Sequence, residues 1–100
     1  MKCAIPKEVL VHIIRRHGRD FSRLLGINSL DSLNRLLEDA LVSPDEVRLD
    51  ARSPDVRYFL KKVDGLWLMV VALEDEVKTA YLISPKTYKR FASKRWARES

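Results

Sequence analysis

The sequence predicts an α+β domain of order ααββββα: two N-terminal helices, a four-stranded antiparallel meander sheet and a basic C-terminal helix. Three observations carry this prediction. Apolar residues recur at helical spacing in two stretches of the first 42 residues. Beyond them "VRYFLKKV", "LWLMVVAL" and "VKTAYLI" have the length and the β-branched and aromatic content of strands. Asp64-Gly65 then separates the first two of these, and both residues tolerate the positive φ of a two-residue hairpin turn.

Pro6 suits a helix start, and Val9, Leu10, Ile13, Ile14 and His17 follow on one face until Gly18, which is expected to end the first helix. Asn28 or Ser29 caps a second helix, with Leu30, Leu33, Leu36, Leu37 and Leu41 on one stripe and Pro44 beyond its end. "EVRLD" gives a short first strand and "RSPD" the loop before the second. Across the Asp64-Gly65 hairpin, Tyr58 falls opposite Val71 and Leu60 opposite Met69. A three-residue "EDE" loop then sets Thr79 opposite Val71 and Tyr81 opposite Met69. Tyr58, Thr79 and Tyr81 therefore share one face, and Arg57, Lys61 and Lys78 the other, beside Phe59, Val70 and Leu82. Ser84-Pro85 restarts a helix expected over residues 84–98, with Tyr88, Phe91, Ala92 and Trp96 as its apolar stripe.

One hundred residues with 46% hydrophobic content form a single domain, its core over residues 5–83. The lone Cys3 excludes an internal disulfide and suits a reducing compartment. The longest apolar run is far short of the ~20 residues of a membrane-spanning helix. With no secretory signal visible, a soluble, cytoplasmic protein without a membrane partner is expected. The net charge of +5 is concentrated in the tail, where Lys86, Lys89, Arg90, Lys94, Arg95 and Arg98 face only Glu99. Residues 1–26 are basic too, and two basic ends could converge on a polyanion, although scattered surface charge is also ordinary.

Both histidines lie in "HIIRRHG". At about 100° per residue His17 joins the stripe of Leu10, Ile13, Ile14 and Phe21, whereas His12 points away beside Arg15 and Arg16. Zinc ligands on one helix prefer a spacing of three or four and no further donor cluster completes a site, so neither metal nor cofactor is expected. In a last helical turn His17 would feel the negative end of the dipole, which favours its protonated form and a general-acid role. The plainer alternative has His17 closing the edge of the core and His12 solvated.

Taken together, "HIIRRHG", "LVSPDEVRLD", "RYF", "LMVVAL" and "VKTAY" resemble, in that order over residues 5–83, the barnase–EndoU–colicin–RelE (BECR) group of small nucleases, particularly its phage and archaeal branches. The resemblance implies helices packed on an antiparallel sheet and a metal-independent endoribonuclease, acting as a toxin or in host–virus conflict, with RNA as substrate and a protein antitoxin as a further partner. It implies His12, His17, Arg57, Tyr58, Thr79 and Tyr81 as the catalytic set. Arg15, Arg16, Lys61, Lys86, Lys89, Arg90, Lys94 and Arg95 are the candidate nucleic-acid contacts, the last five on the basic helix. In such chemistry the RNA 2′-hydroxyl attacks the adjacent phosphorus and expels the 5′-oxygen, leaving a cyclic phosphate. A histidine would act as acid or base, Arg57 would stabilise the phosphorane, and Thr79 or Tyr81 would orient the phosphate. A non-catalytic nucleic-acid-binding module using the C-terminal helix, and a small structural or regulatory protein, are the alternatives.

Overall fold

The structure, a computed structural model, describes residues 3–97. Its elements run α1 (Lys7–Leu25), α2 (Leu30–Val42), β1 (Glu46–Leu49), β2 (Val56–Val63), β3 (Leu66–Leu73), β4 (Glu76–Ile83) and α3 (Pro85–Lys94). The four strands form one antiparallel meander in the order β1-β2-β3-β4, so the predicted ααββββα topology holds.

The first helix is longer than expected. It passes through Gly18 and stops at Gly26, whose left-handed φ of 68° lets its N–H and that of Ile27 close on the carbonyls of Ser22 and Phe21. The reason is packing. Phe21 is fully buried, and Leu25 packs on the same core, so the apolar stripe continues past the glycine. Burying Phe21 contributes ~1.5–3 kcal/mol, more than the 0.5–1 kcal/mol that a mid-helix glycine costs. Ser29 caps α2 by accepting from the Ser32 N–H at 3.1 Å.

Asp64 (φ 50°) and Gly65 (φ 80°) form the expected turn, and β2 and β3 pair in the expected register, Tyr58 with Val71 and Leu60 with Met69. The next turn differs. Glu74 and Asp75 alone connect β3 to β4, with Leu73 paired to Glu76, and the extra residue is taken up by a bulge beside Val71 and Ala72. Thr79 still meets Val71 and Tyr81 still meets Met69. Val77, not Lys78, pairs with Ala72; it is fully buried while Lys78 is exposed and pairs with Glu76 at 3.2 Å. The bulge keeps an apolar residue on the core side where a three-residue loop would have put a lysine.

Helices cover both sheet faces. Phe59, Leu68, Val70, Ala72, Val77 and Ala80 pack with Leu10, Ile13 and Phe21 of α1 and Leu33, Leu37 and Ala40 of α2. On the other face Tyr58, Leu60, Trp67, Met69 and Ile83 meet Tyr88, Phe91, Ala92 and Trp96. Ser84 caps α3 through the Thr87 N–H at 3.2 Å. The helix is shorter than the predicted 84–98: it ends at Lys94, and residue 98 lies outside the described residues. Trp96 is therefore not on the helical stripe. It bridges to Asp50, the N–H of Ala97 donates to the Leu49 carbonyl at 2.8 Å, and that of Ala51 to the Arg95 carbonyl at 2.9 Å. Ala4 borders β4 in the same way, donating to Asp75 and accepting from Val77. Both outer strands are thus partly covered, which limits edge-to-edge pairing with other chains.

Candidate nucleic-acid interface

The continuation of α1 changes the chemistry of His17. It lies in the helix interior, not in a last turn, and its ring stacks on Tyr81 of β4 with centroids 5.1 Å apart and planes 25° from parallel. Partial burial holds its pKa below the ordinary histidine value; Asp20 opposes this, while Arg16 and His12 add to it. The expected bias toward the protonated form is thus replaced by a bias toward the neutral imidazole. His12, Arg15 and Arg16 are exposed on the same helix.

Tyr58, Thr79 and Tyr81 take up the shared face that alternation predicts. Tyr58 and Tyr81 pack in the α3-side cluster, and Thr79, half-buried, pairs with Val71 of that cluster. The Tyr58 hydroxyl is directed to β1's end, donating to Asp50 Oδ1 at 2.6 Å. Burial raises its pKa strongly, and the Asp50 carboxylate adds to the effect. Arg57, on the other face as expected, donates to the Glu74 carbonyl at 3.0 Å, lies 3.9 Å from the Asp75 carboxylate and has its guanidinium carbon 5.9 Å from the Phe59 ring centre. Lys61 donates to the Ser43 carbonyl at 2.7 Å and is 3.5 Å from Asp39, which ties β2 to the end of α2. Of the six residues implied as catalytic, the structure joins His17 to Tyr81, while Tyr58 is bonded to Asp50 and Arg57 to the β3–β4 turn.

The cations of α3 form a second arrangement. Lys86 and Lys89 are exposed on the helix, and Arg90, Lys94 and Arg95 line a cleft of about 360 Å³ together with Asp50, Ala51, Arg52 and Phe91. The guanidinium carbons of Arg95 and Arg90 lie 4.6 and 5.7 Å from the centre of the Phe91 ring. Among the described lining residues the one carboxylate, Asp50, is engaged in internal hydrogen bonds. Asp50 Oδ1 accepts from Tyr58, and Oδ2 accepts from the N–H groups of Arg52 and Ser53, both at 3.0 Å. These hydrogen bonds, Tyr58's first, hold its pKa below the ordinary carboxylate value, with Arg95 contributing. Among the described lining residues, four cations and one aromatic ring remain.

Sequence reasoning names Arg90, Lys94 and Arg95 as candidate contacts; the structure places Arg52, Asp50 and Phe91 in the same cleft. Phe91 read as docking stripe, and Arg52 and Asp50 belong to a turn that only the return of residues 95–97 along β1 brings to α3. No group of three or more His, Cys, Asp or Glu side chains among the described residues is placed to hold a metal ion. Among them, too, no helix is long and apolar enough to cross a membrane. A scan against protein-family models finds no match, and searches of curated proteins and of solved structures find none either.

Proposed function

We propose that the protein binds single-stranded RNA in the cleft between α3 and the loop after β1. The observation that carries this reading is the set Arg52, Arg90, Lys94 and Arg95 around Phe91, with the one carboxylate among the described lining residues, Asp50, already hydrogen-bonded to Tyr58, Arg52 and Ser53. Guanidinium and ammonium groups neutralise phosphates, while an aromatic ring and guanidinium planes offer surfaces on which unpaired bases stack. The resemblance to the BECR group favours RNA over DNA as the partner. A labelled single-stranded RNA should bind with a strong salt dependence, and Arg90→Gln with Lys94→Gln should weaken it. Equal binding by wild type and variant rejects the cleft as the site.

A second reading, RNA cleavage, is favoured by the His17–Tyr81 stack. A neutral imidazole can take the proton of a 2′-hydroxyl as that oxygen attacks the adjacent phosphorus. The bond to the 5′-oxygen breaks, that oxygen takes a proton from water, the imidazolium returns its proton to solvent, and a 2′,3′-cyclic phosphate remains. Tyr81 and Thr79 lie along the same strand to orient the phosphate. Incubation with RNA in EDTA should yield cyclic-phosphate ends, lost in His17→Ala. Intact RNA at high protein excess rejects the reading.

A further inference from the structure

Helix α1 carries a second cationic surface that the cleft does not include. His12, Arg15, Arg16, Arg19 and Arg23 are all exposed, and their spacing places them along one side of the helix, away from buried Leu10, Ile13 and Phe21. From His12 to Arg23 the row extends about 16 Å at the α-helical rise. Glu8 and Asp20 are the only acids in the helix. Among the described residues none of Arg15, Arg16, Arg19 and Arg23 makes an ion pair. Helices that use surface charge for their own stability alternate signs at i,i+4; here Arg15, Arg19 and Arg23 repeat the same sign at that spacing, and of the four arginines only Arg16 has an acid, Asp20, four residues on.

The row differs in kind from the cleft. It contains no aromatic side chain other than His12, so it has cations for phosphates and almost nothing on which a base could stack. It belongs to the helix packed on the sheet face opposite α3. The cleft has Phe91 beneath two guanidinium groups. A row of cations without stacking platforms suits a paired stem, whose bases are turned inward and whose phosphates lie outside. A cationic cleft with an aromatic floor suits an unpaired strand.

We propose that the Arg15–Arg16–Arg19–Arg23 row of α1 binds the phosphate backbone of double-stranded RNA, so that the protein's ligand is a structured RNA with a stem beside an unpaired segment. This rests on the reading that the protein binds RNA, but it concerns a different surface, and the two fail separately.

The test uses three fluorescent RNAs, a single strand, a blunt duplex and a stem with a single-stranded tail, measured by anisotropy between about 50 and about 200 mM salt. The full chain is compared with an Arg16→Gln/Arg19→Gln/Arg23→Gln variant and an Arg90→Gln/Lys94→Gln variant. Glutamine keeps helix propensity, and circular dichroism checks the fold. The α1 variant should bind the duplex roughly 10- to 100-fold more weakly, with the log–log salt slope reduced by about 2, and should keep most of its affinity for the single strand. The cleft variant should show the reverse, and the stem with a tail should respond to both. Equal losses on duplex and single strand in the α1 variant would mean a general field and overturn the proposal. So would wild-type binding to the single strand alone, which leaves the cleft reading standing. Binding to phosphatidylserine vesicles or an acidic protein but to none of the RNAs overturns both.

Discussion

The Tyr88 hydroxyl lies 2.6 and 2.7 Å from the two carboxylate oxygens of Glu46, joining the middle of α3 to the start of β1 across 42 residues of sequence. Arg48 completes the set, donating to Glu46 at 2.9 Å and to the Tyr88 hydroxyl at 3.0 Å, while the Tyr88 ring stacks on Trp67 with centroids 4.5 Å apart. No residue within α3 is fully buried, so these contacts and the Trp96 anchor hold the helix that walls the cleft. Tyr88→Phe keeps the ring and removes the hydrogen bond. It should lower unfolding free energy by about 1 kcal/mol, measured by urea denaturation, and raise amide exchange in residues 85–94 ahead of the rest.

The Tyr58–Asp50 hydrogen bond sets a second expectation, in pH. Asp50 is held below its ordinary value in the folded state, so its contribution to stability is present above the usual carboxylate range and is lost as pH falls through the folded value. Tyr58→Phe should cost about 1–2 kcal/mol at neutral pH, and the gap from wild type should narrow below about pH 4. A gap constant with pH would show that the carboxylate is not the partner that matters.

Gly18 offers a test of the helix boundary. A Cβ placed there meets only Ile14, at 3.4 Å, and the φ is helical, so Gly18→Ala should stabilise the protein by about 0.5–1 kcal/mol. Gly26, with φ 68°, should not tolerate alanine: Gly26→Ala should lower the thermal midpoint.

These boundaries also mark what was legible in the sequence. Strands β2 and β3 and their register followed from alternation and the Asp64-Gly65 turn, because both signals are local. Gly18 and Gly26 could each have ended α1, and the choice depended on whether Phe21 and Leu25 had a core to enter. The β3–β4 bulge was hidden because a three-residue loop gives the same pairing of Thr79 and Tyr81. Trp96 fitted a helical stripe as well as it fits the return along β1. For the candidate site, the cations of α3 were visible as composition. Their convergence with Arg52 on Phe91 was not, since it needs residues 95–97 to pair with residues 49–51, a contact with no local signature.

For the cleavage reading, the lowered pKa of His17 fixes the direction of the pH profile. A neutral base is present at pH 7 and is lost as pH falls through a value below the ordinary one for histidine. Cyclic-phosphate formation should therefore be flat near neutrality and decline only in acid, below about pH 6.5. A rate that rises as pH drops would assign His17 as an acid instead, or place the chemistry elsewhere.

If Arg52, Arg90, Lys94 and Arg95 around Phe91 bind unpaired RNA, the Phe91 ring should contribute to the affinity. The direct measurement is single-strand RNA affinity by fluorescence anisotropy for the wild-type chain and for Phe91→Leu, which keeps an apolar side chain and removes the stacking ring. Base stacking contributes roughly 1–3 kcal/mol, so Phe91→Leu should bind about 5- to 100-fold more weakly with an unchanged salt slope. Wild-type affinity in that variant, with its fold intact by circular dichroism, would contradict it.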